Sequence, residues 1–178
     1  MTAGTAIRAY RNGDIALIRA MSGRLSGRSL YHRFFVGTPH IPVAYLDSLR
    51  SVDHRDREVL LALRGDVVAV AEYARDPARP ETAELAVLVA DAWQRRGLAG
   101  PLLDTLGALA LSHGITRFTA DVLPGNGAAR AAILRHRPGS PAVYTLDGTT
   151  RYLLETRPRT GSDAHGPFRP ADEFVRSA

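Results

Sequence analysis

The 178 residues include neither cysteine nor lysine. Without cysteine there can be no disulfide framework, thiolate zinc site, iron–sulfur cluster or cysteine nucleophile, and a reducing compartment suits the chain. Without lysine, all 23 basic residues are arginine, so any basic face is built from planar, permanently charged guanidinium forks. Most of this bias is what a GC-rich coding sequence produces. Six histidines, His32, His40, His54, His113, His136 and His165, are scattered with no pair at ligand spacing, so no metal site is expected. No apolar run approaches the roughly 18 residues that cross a bilayer, and the start, Met1 to Ala6, lacks the charged and apolar segments of a signal peptide. The expectation is a soluble, cytoplasmic protein with no membrane partner. What is present, 45% apolar and 23% charged residues with a net charge of +5, is enough for one hydrophobic core, and two domains would be cramped.

Along the chain, Thr5 to Tyr10 reads as a strand, and Asn12-Gly13-Asp14 turns it into a short helix apolar at Ile15, Leu17, Ile18 and Met21, with Asp14 as its cap. Ser26 to Phe35 reads as a second helix with Leu30, Phe34 and Phe35 on one face, and Val43 to Val52 as a third. The period then changes. Arg57 to Arg64 and Val67 to Ala74 flank Gly65-Asp66 as a hairpin, and a proline- and charge-rich connection over 76–81 leads to a third strand, Ala83 to Ala90. Gly97 to His113 is a long apolar helix stopped by Gly114, and Ile115 to Val122 alternates as a strand. Strand, helix and strand in that order form a crossover, which makes this last strand parallel to the third. Asn126 to Arg135 reads as a helix halted by Pro138-Gly139, and Ala142 to Leu146 and Thr149 to Thr156 flank Asp147-Gly148 as a final hairpin. From Arg157 the composition loses all periodicity. The expected organisation is one α+β domain over 1–156 and a flexible tail over 157–178.

One joint carries chemistry. The strand ending at Ala90 passes through Asp91-Ala-Trp-Gln94-Arg95-Arg96-Gly97-Leu98-Ala99-Gly100 into the first turn of the long helix. Glycine at 97 and 100 and alanine at 99 leave the backbone uncluttered, so successive N–H groups can point outward at a helix N-terminus flanked by arginines. Those free donors and the helix dipole favour an anion, a pyrophosphate above all, and a helix start that merely packs on the sheet fits the same residues. The stretch is not a Lys-Ser/Thr phosphate loop, and the Gly-x-Gly-x-x-Gly dinucleotide pattern fails.

Gln94-Arg-Arg-Gly97-Leu-Ala99 resembles the Gln/Arg-x-x-Gly-x-Gly/Ala pyrophosphate loop of the GNAT N-acetyltransferases. Leu25 to Phe35, Val70 to Pro77, Ala83 to Asp91 and Gly114 to Arg117 are similar to segments of bacterial protein lysine acetyltransferases of the Pat type, so the likeness covers roughly Thr5 to Thr156. The resemblance implies a GNAT fold: a mixed, mostly antiparallel sheet, flanked by helices and split by a V-shaped cleft between its fourth and fifth strands. Acetyl-CoA, as co-substrate, would lie in that opening. By the same analogy the backbone of Val87, Leu88 and Val89 pairs with the pantetheine amides, the loop of Gln94, Arg95, Arg96, Gly97, Leu98, Ala99 and Gly100 holds the pyrophosphate, and Asn126 contacts the CoA arm. Pat-type enzymes often carry a fused regulatory domain, for which this chain is too short.

Acetyl transfer needs a neutral amine, and a lysine with a reference pKa near 10.4 is protonated at neutral pH, so a general base is useful. Glu84 is the leading candidate, a lone carboxylate in an otherwise apolar strand, where loss of solvent suits a proton acceptor; Pat-type enzymes carry a glutamate at the matching position. Glu72, the second carboxylate in an apolar strand, is placed to reach the cleft from the neighbouring strand, with substrate-binding or structural use as its alternative. The helix after Asn126 contains no tyrosine to protonate the leaving thiolate, and His136-Arg137-Pro138 replaces the Leu-Gly-Phe that ends this helix in many family members. Tyr144 is one substitute acid. Trp93 reads as a packing anchor. The expected acceptor is a protein lysine, an acyl-CoA synthetase being the usual target in the family, or else a small amine. A CoA-binding module without turnover remains the other reading, and a nucleic-acid partner is disfavoured because the arginines are spread without interleaved aromatics.

Overall fold

The computed structural model describes residues 4–144 and 147–157. The expected tail, apart from Arg157, and residues 145 and 146 of the last hairpin lie outside the described residues. The elements run β1 (Ala6–Ala9), α1 (Ile15–Ala20), α2 (Gly27–Phe34), α3 (Val43–Ser48), β2 (Arg57–Arg64), β3 (Asp66–Asp76), β4 (Arg79–Val89), α4 (Ala99–Ser112), β5 (Arg117–Val122), α5 (Gly127–His136), β6 (Ala142–Tyr144) and β7 (Thr150–Glu155).

Seven strands form one sheet in the order β1-β2-β3-β4-β5-β7-β6, antiparallel throughout except for β4 beside β5. The parallel pair follows from α4, which carries the chain back across the sheet between the two strands. Strand alternation divides the core into two layers. On one face Leu60, Ala71, Tyr73, Leu85, Phe118 and Leu154 pack against Leu102, Leu103, Leu106 and Ala110 of α4. On the other, Val59, Leu61, Val70 and Leu88 pack against Ile18 of α1, Leu30 of α2 and Leu46 of α3. Each such leucine or isoleucine, fully buried, contributes about 1.5–3 kcal/mol, and the two layers together fix the sheet's register.

Two local expectations are corrected. The connection over 76–81 is strand rather than loop, because Asp76 takes the backbone N–H of Ala78 at 2.9 Å and Arg79 Nε at 2.9 Å, closing a tight turn that lengthens β3 and β4. Asp14 does not cap α1 with its side chain. Its carboxylate instead accepts both terminal nitrogens of Arg8, at 2.6 and 2.7 Å, and the Arg11 N–H at 2.8 Å, stapling β1 to the turn that follows it.

The unusual end of α5 has a structural role. Arg137 is 4% exposed and bonds to Asp104 (3.0 Å) and to the carbonyls of His136 (2.8 Å), Glu155 (3.1 Å), Leu103 (3.3 Å) and Thr156 (3.4 Å). One side chain thus joins α5 to α4 and to the end of β7. The junction leaves no room at Gly107, where a Cβ would stand 2.1 Å from the Thr156 carbonyl oxygen.

Candidate cofactor and acceptor cleft

β4 and β5 pair over only three positions, Thr82 with Arg117, Ala83 with Phe118 and Glu84 with Thr119. Beyond Glu84 the two parallel strands part, while β4 stays paired to β3 as far as Val89. The phase of the backbone is fixed at both ends: Ala90 N–H donates to Val68 at 2.9 Å on the β3 side, and Thr116 N–H donates to Glu81 at 2.9 Å on the β5 side. Alternation then turns Ala86 and Leu88 towards β3 and the polar groups of Val87 and Val89 into the opening. Of those expected contacts, the Leu88 backbone is spent on the sheet, whereas the backbone polar groups of Val87 turn to the gap, beyond the last position at which β4 pairs with β5. The Val89 carbonyl accepts Gln94 Nε2 at 3.2 Å.

The gap leads to the loop before α4. After a 3-10 turn over Asp91–Trp93, Arg95 (φ 57°) and Gly97 (φ 81°) adopt left-handed backbone and turn the chain into α4. Among the described residues the amides of Arg95 to Gly100 donate to no acceptor, leaving a row of free N–H groups at the positive end of a 14-residue helix. Arg95 and Arg96 are exposed, and the Arg96 guanidinium stacks 5.2 Å from the centre of the Trp93 ring, with that of Arg64 at 5.0 Å. Trp93 touches both core layers, as a packing anchor should. Two expectations change here. Gly100 is buried, and its missing side chain makes room for the His136 ring, whose Cε1 would lie 2.7 Å from a Cβ. Gln94 turns its side chain away from the free amides, towards Val89 and α2. Asn126, four residues beyond the end of β5, caps α5 by accepting the Ala129 N–H at 3.2 Å.

The other wall of the site is the sheet face beneath α2. Glu84 stands there, exposed, at the point where the strands part. The expectation that its apolar strand would desolvate it is corrected, because the apolar neighbours Ala83 and Leu85 point to the opposite face. Two positions further along β5, Asp121 holds Arg151 of β7 through bonds of 2.7 and 2.6 Å. That hydrogen-bonded pairing raises the Arg151 guanidinium above its ordinary range against the opposing effect of burial, and the charges of Asp121, Glu84 and Asp147 add to it. Glu72 does not reach the cleft as a free carboxylate. It is 6% exposed and held by Arg33 of α2 and, at 2.9 Å, by Arg57 of β2. Burial, reinforced by Glu72, pushes the neighbouring Tyr45 phenol up. The carboxylate is therefore a buried tie between α2 and the sheet. Its arginine partners left no signal in the sequence, since the pairing depends on strand register and on where α2 docks.

The stripe of α5 formed by Asn126, Ala129 and Ile133 carries no hydroxyl, and Tyr144 lies 81% exposed on β6, separated from β5 by β7. Among the described residues no group of histidine and carboxylate side chains could hold a metal ion, and no helix is long and apolar enough to cross a membrane.

A mixed sheet that opens between two parallel neighbours, with free amides at the mouth of the opening, defines a class of acyl-group transferase folds. The model of the acetyltransferase (GNAT) family matches residues 26–136, and the chain belongs to that family. The acetyltransferase Pat of Mycolicibacterium smegmatis is 34% identical over 130 residues, which cover 70% of this chain and 38% of that protein. The chain thus spans well under half the length of this curated relative. The crystal structure of the GNAT domain of S. lividans PAT superposes with a TM-score of 0.78 at 29% identity, covering 85% of this chain and 90% of that one. The Salmonella typhimurium protein yncA, solved with its cofactor acetyl-CoA, shares the fold with a TM-score of 0.69 at 19% identity, over 92% of this chain and all of the other.

Proposed function

We propose that residues 1–156 form an acetyltransferase unit that moves an acetyl group from acetyl-CoA to a protein lysine, by direct transfer with Glu84 as the general base. The observation that carries this reading is continuity: the unpaired edge at Val87 runs from Glu84 at the inner end of the gap to the free amides of Arg95 to Gly100 at its mouth. The residues present fit the co-substrate. The amides of Arg95, Arg96, Gly97, Leu98, Ala99 and Gly100, with the two arginines, suit a pyrophosphate. The edge of Val87 and Val89 suits the amides of a pantetheine arm, and Asn126, at the start of α5, suits a contact with the CoA arm.

Acetyl-CoA supplies, when bound, a thioester carbonyl open to attack by an amine. The chain's own groups do the rest. Glu84 takes the proton from the arriving ammonium, which must be neutral to attack. The Val87 N–H polarises the carbonyl oxygen as negative charge builds on it. The new N–C bond forms as the C–S bond breaks; the attacking nitrogen gives up its second proton to water as the amide forms, and the sulfur leaves as a thiolate that takes its proton from water, since α5 offers no phenol. Glu84 is exposed in the open cleft, so the acceptor and the pantetheine arm provide its desolvation when they close over it.

A lysine on a protein surface fits the open face beneath α2, and the resemblance to Pat-type enzymes makes an acyl-CoA synthetase the first acceptor to try. The bare α5 stripe favours a second reading, a CoA-binding module without turnover. One assay separates them: release of CoA from acetyl-CoA with a lysine-bearing protein, a free amine or no acceptor. Transfer to either amine supports an enzyme, and transfer to the free amine alone makes the acceptor small. Tight binding of acetyl-CoA with no acceptor consumed leaves the module. A chain without cysteine suits the cytoplasm, where such acceptors are found.

A further inference from the structure

We propose that Ser29 and Asp91 are positioning residues for acetyl-CoA binding, holding the loop of Gln94 to Gly97 in shape from the side of α2; this rests on the acetyl-CoA reading above. The loop has little to hold it. After Gln94 N–H donates to Asp91 at 3.3 Å, the next backbone bond is Leu102 to Leu98 at 3.4 Å, and between them lie two left-handed residues, one of them Arg95. A non-glycine residue there costs about 1–2 kcal/mol, so something outside the loop must keep it in place.

The polar tether is the Gln94 side chain. Its Nε2 donates to the Ser29 hydroxyl oxygen at 3.0 Å and to the Val89 carbonyl at 3.2 Å, with Asp91 Oδ1 at 3.3 Å. Ser29 in turn donates its hydroxyl proton to Asp91 Oδ1 at 2.7 Å, and the other carboxylate oxygen accepts the Ser26 N–H at 3.1 Å. Burial works against charge on Asp91, but the bonds from Ser29 and Ser26 outweigh it and hold the carboxyl below its usual range. The result is a directed chain, Gln94 to Ser29 to Asp91, whose polarity is fixed because an ionised carboxylate can only accept. It joins four pieces: the end of β4, the 3-10 turn, the cofactor loop and the first turn of α2. Ser29 also has its own N–H bonded to Ser26 Oγ at 3.2 Å, so the hydroxyl sits on an ordered helix start. Because α2 also roofs the acceptor face, the tether places both substrates' walls on one network.

The test uses the full chain with Ser29→Ala, Asp91→Asn and Ser29→Thr, measuring acetyl-CoA dissociation constants by calorimetry together with KM and kcat. Asparagine at 91 retains one acceptor oxygen but puts a donor either against the Ser26 N–H or against the donors of Gln94 and Ser29. The expected result is a rise of about tenfold in Kd and KM for acetyl-CoA in the alanine and asparagine variants, the loss of roughly one hydrogen bond's net value. Turnover at saturating acetyl-CoA should stay within about twofold, and threonine should restore tight binding because it keeps the hydroxyl. Unchanged Kd in both disrupting variants, or a threonine variant as weak as alanine, overturns the proposal while leaving the function intact. A wild-type chain that does not bind acetyl-CoA overturns both.

Discussion

Replacing Arg137 by methionine keeps most of the side-chain volume and removes the guanidinium, so it isolates the polar bonds at the end of α5. The ion pair itself contributes little, because Asp104 is 54% exposed and rehydrates when its partner is lost. Leu103 lies within α4, where its carbonyl keeps its helical bond. The cost falls on the carbonyls of Glu155 and Thr156, at the end of β7, which lose their donor where the packing around Gly107 admits no substitute. At about 1–3 kcal/mol for the buried Thr156 acceptor left unpaired, and less for the part-buried Glu155 carbonyl, the expected destabilisation is about 3 kcal/mol. For a chain of this size that is a fall in Tm of about 6–12 °C. Thermal denaturation followed by circular dichroism measures it, with urea unfolding to check that the slope is unchanged. Arg137→Lys should recover less than half, since one ammonium cannot span five acceptors. A fall below about 2 °C in the methionine variant would refute the argument that this side chain joins α4, α5 and β7.

Gly107→Ala should destabilise by about 3 kcal/mol or more, because its Cβ would meet a backbone carbonyl that has no cheap way to move; chemical denaturation checks it. Asp14→Asn should cost about 2 kcal/mol at neutral pH through weakened charged hydrogen bonds to Arg8 and Arg11. Its pH dependence has a definite sign. The hydrogen bond from Arg8 holds the Asp14 carboxyl below its ordinary value, against burial, so its stabilisation is complete above the ordinary value of about 4 and disappears as pH falls through the folded one. The gap in Tm between wild type and Asp14→Asn should therefore narrow below about pH 4; a gap that stays constant to pH 2 would contradict the pairing.

Much of the fold was legible because it rests on periodic burial. The apolar runs at 57–64 and 67–74, the long helix before Gly114 and the crossover to a parallel β5 all follow from spacing and connection rules that act within a few residues. The tightness of the turn at Asp76 is not legible because a single side chain decides it, against the breaking tendency of proline. The candidate site divides in the same way. Loop residues adjacent in sequence, Arg95 to Gly100, meet at the start of α4, and Asn126 stands at the start of α5. The fates of Glu72 and Glu84 were not legible. Both are lone carboxylates in apolar strands, yet one meets Arg33 and Arg57 across α2 and β2, while the other stands where the sheet opens. Only register and helix docking tell them apart. Arg137 reads in sequence as part of a departure from the family's usual end of this helix and is in the structure its principal tie.

The most direct test of the central claim is the rate of acetyl transfer from acetyl-CoA to a lysine-bearing acceptor by Glu84→Gln, measured beside acetyl-CoA affinity. If Glu84 is the base, the rate should fall about 10²–10⁴-fold, while the dissociation constant for acetyl-CoA stays within about twofold and the folded state keeps its Tm, since the side chain is exposed. A Glu84→Gln variant that transfers acetyl groups at the wild-type rate would contradict the account.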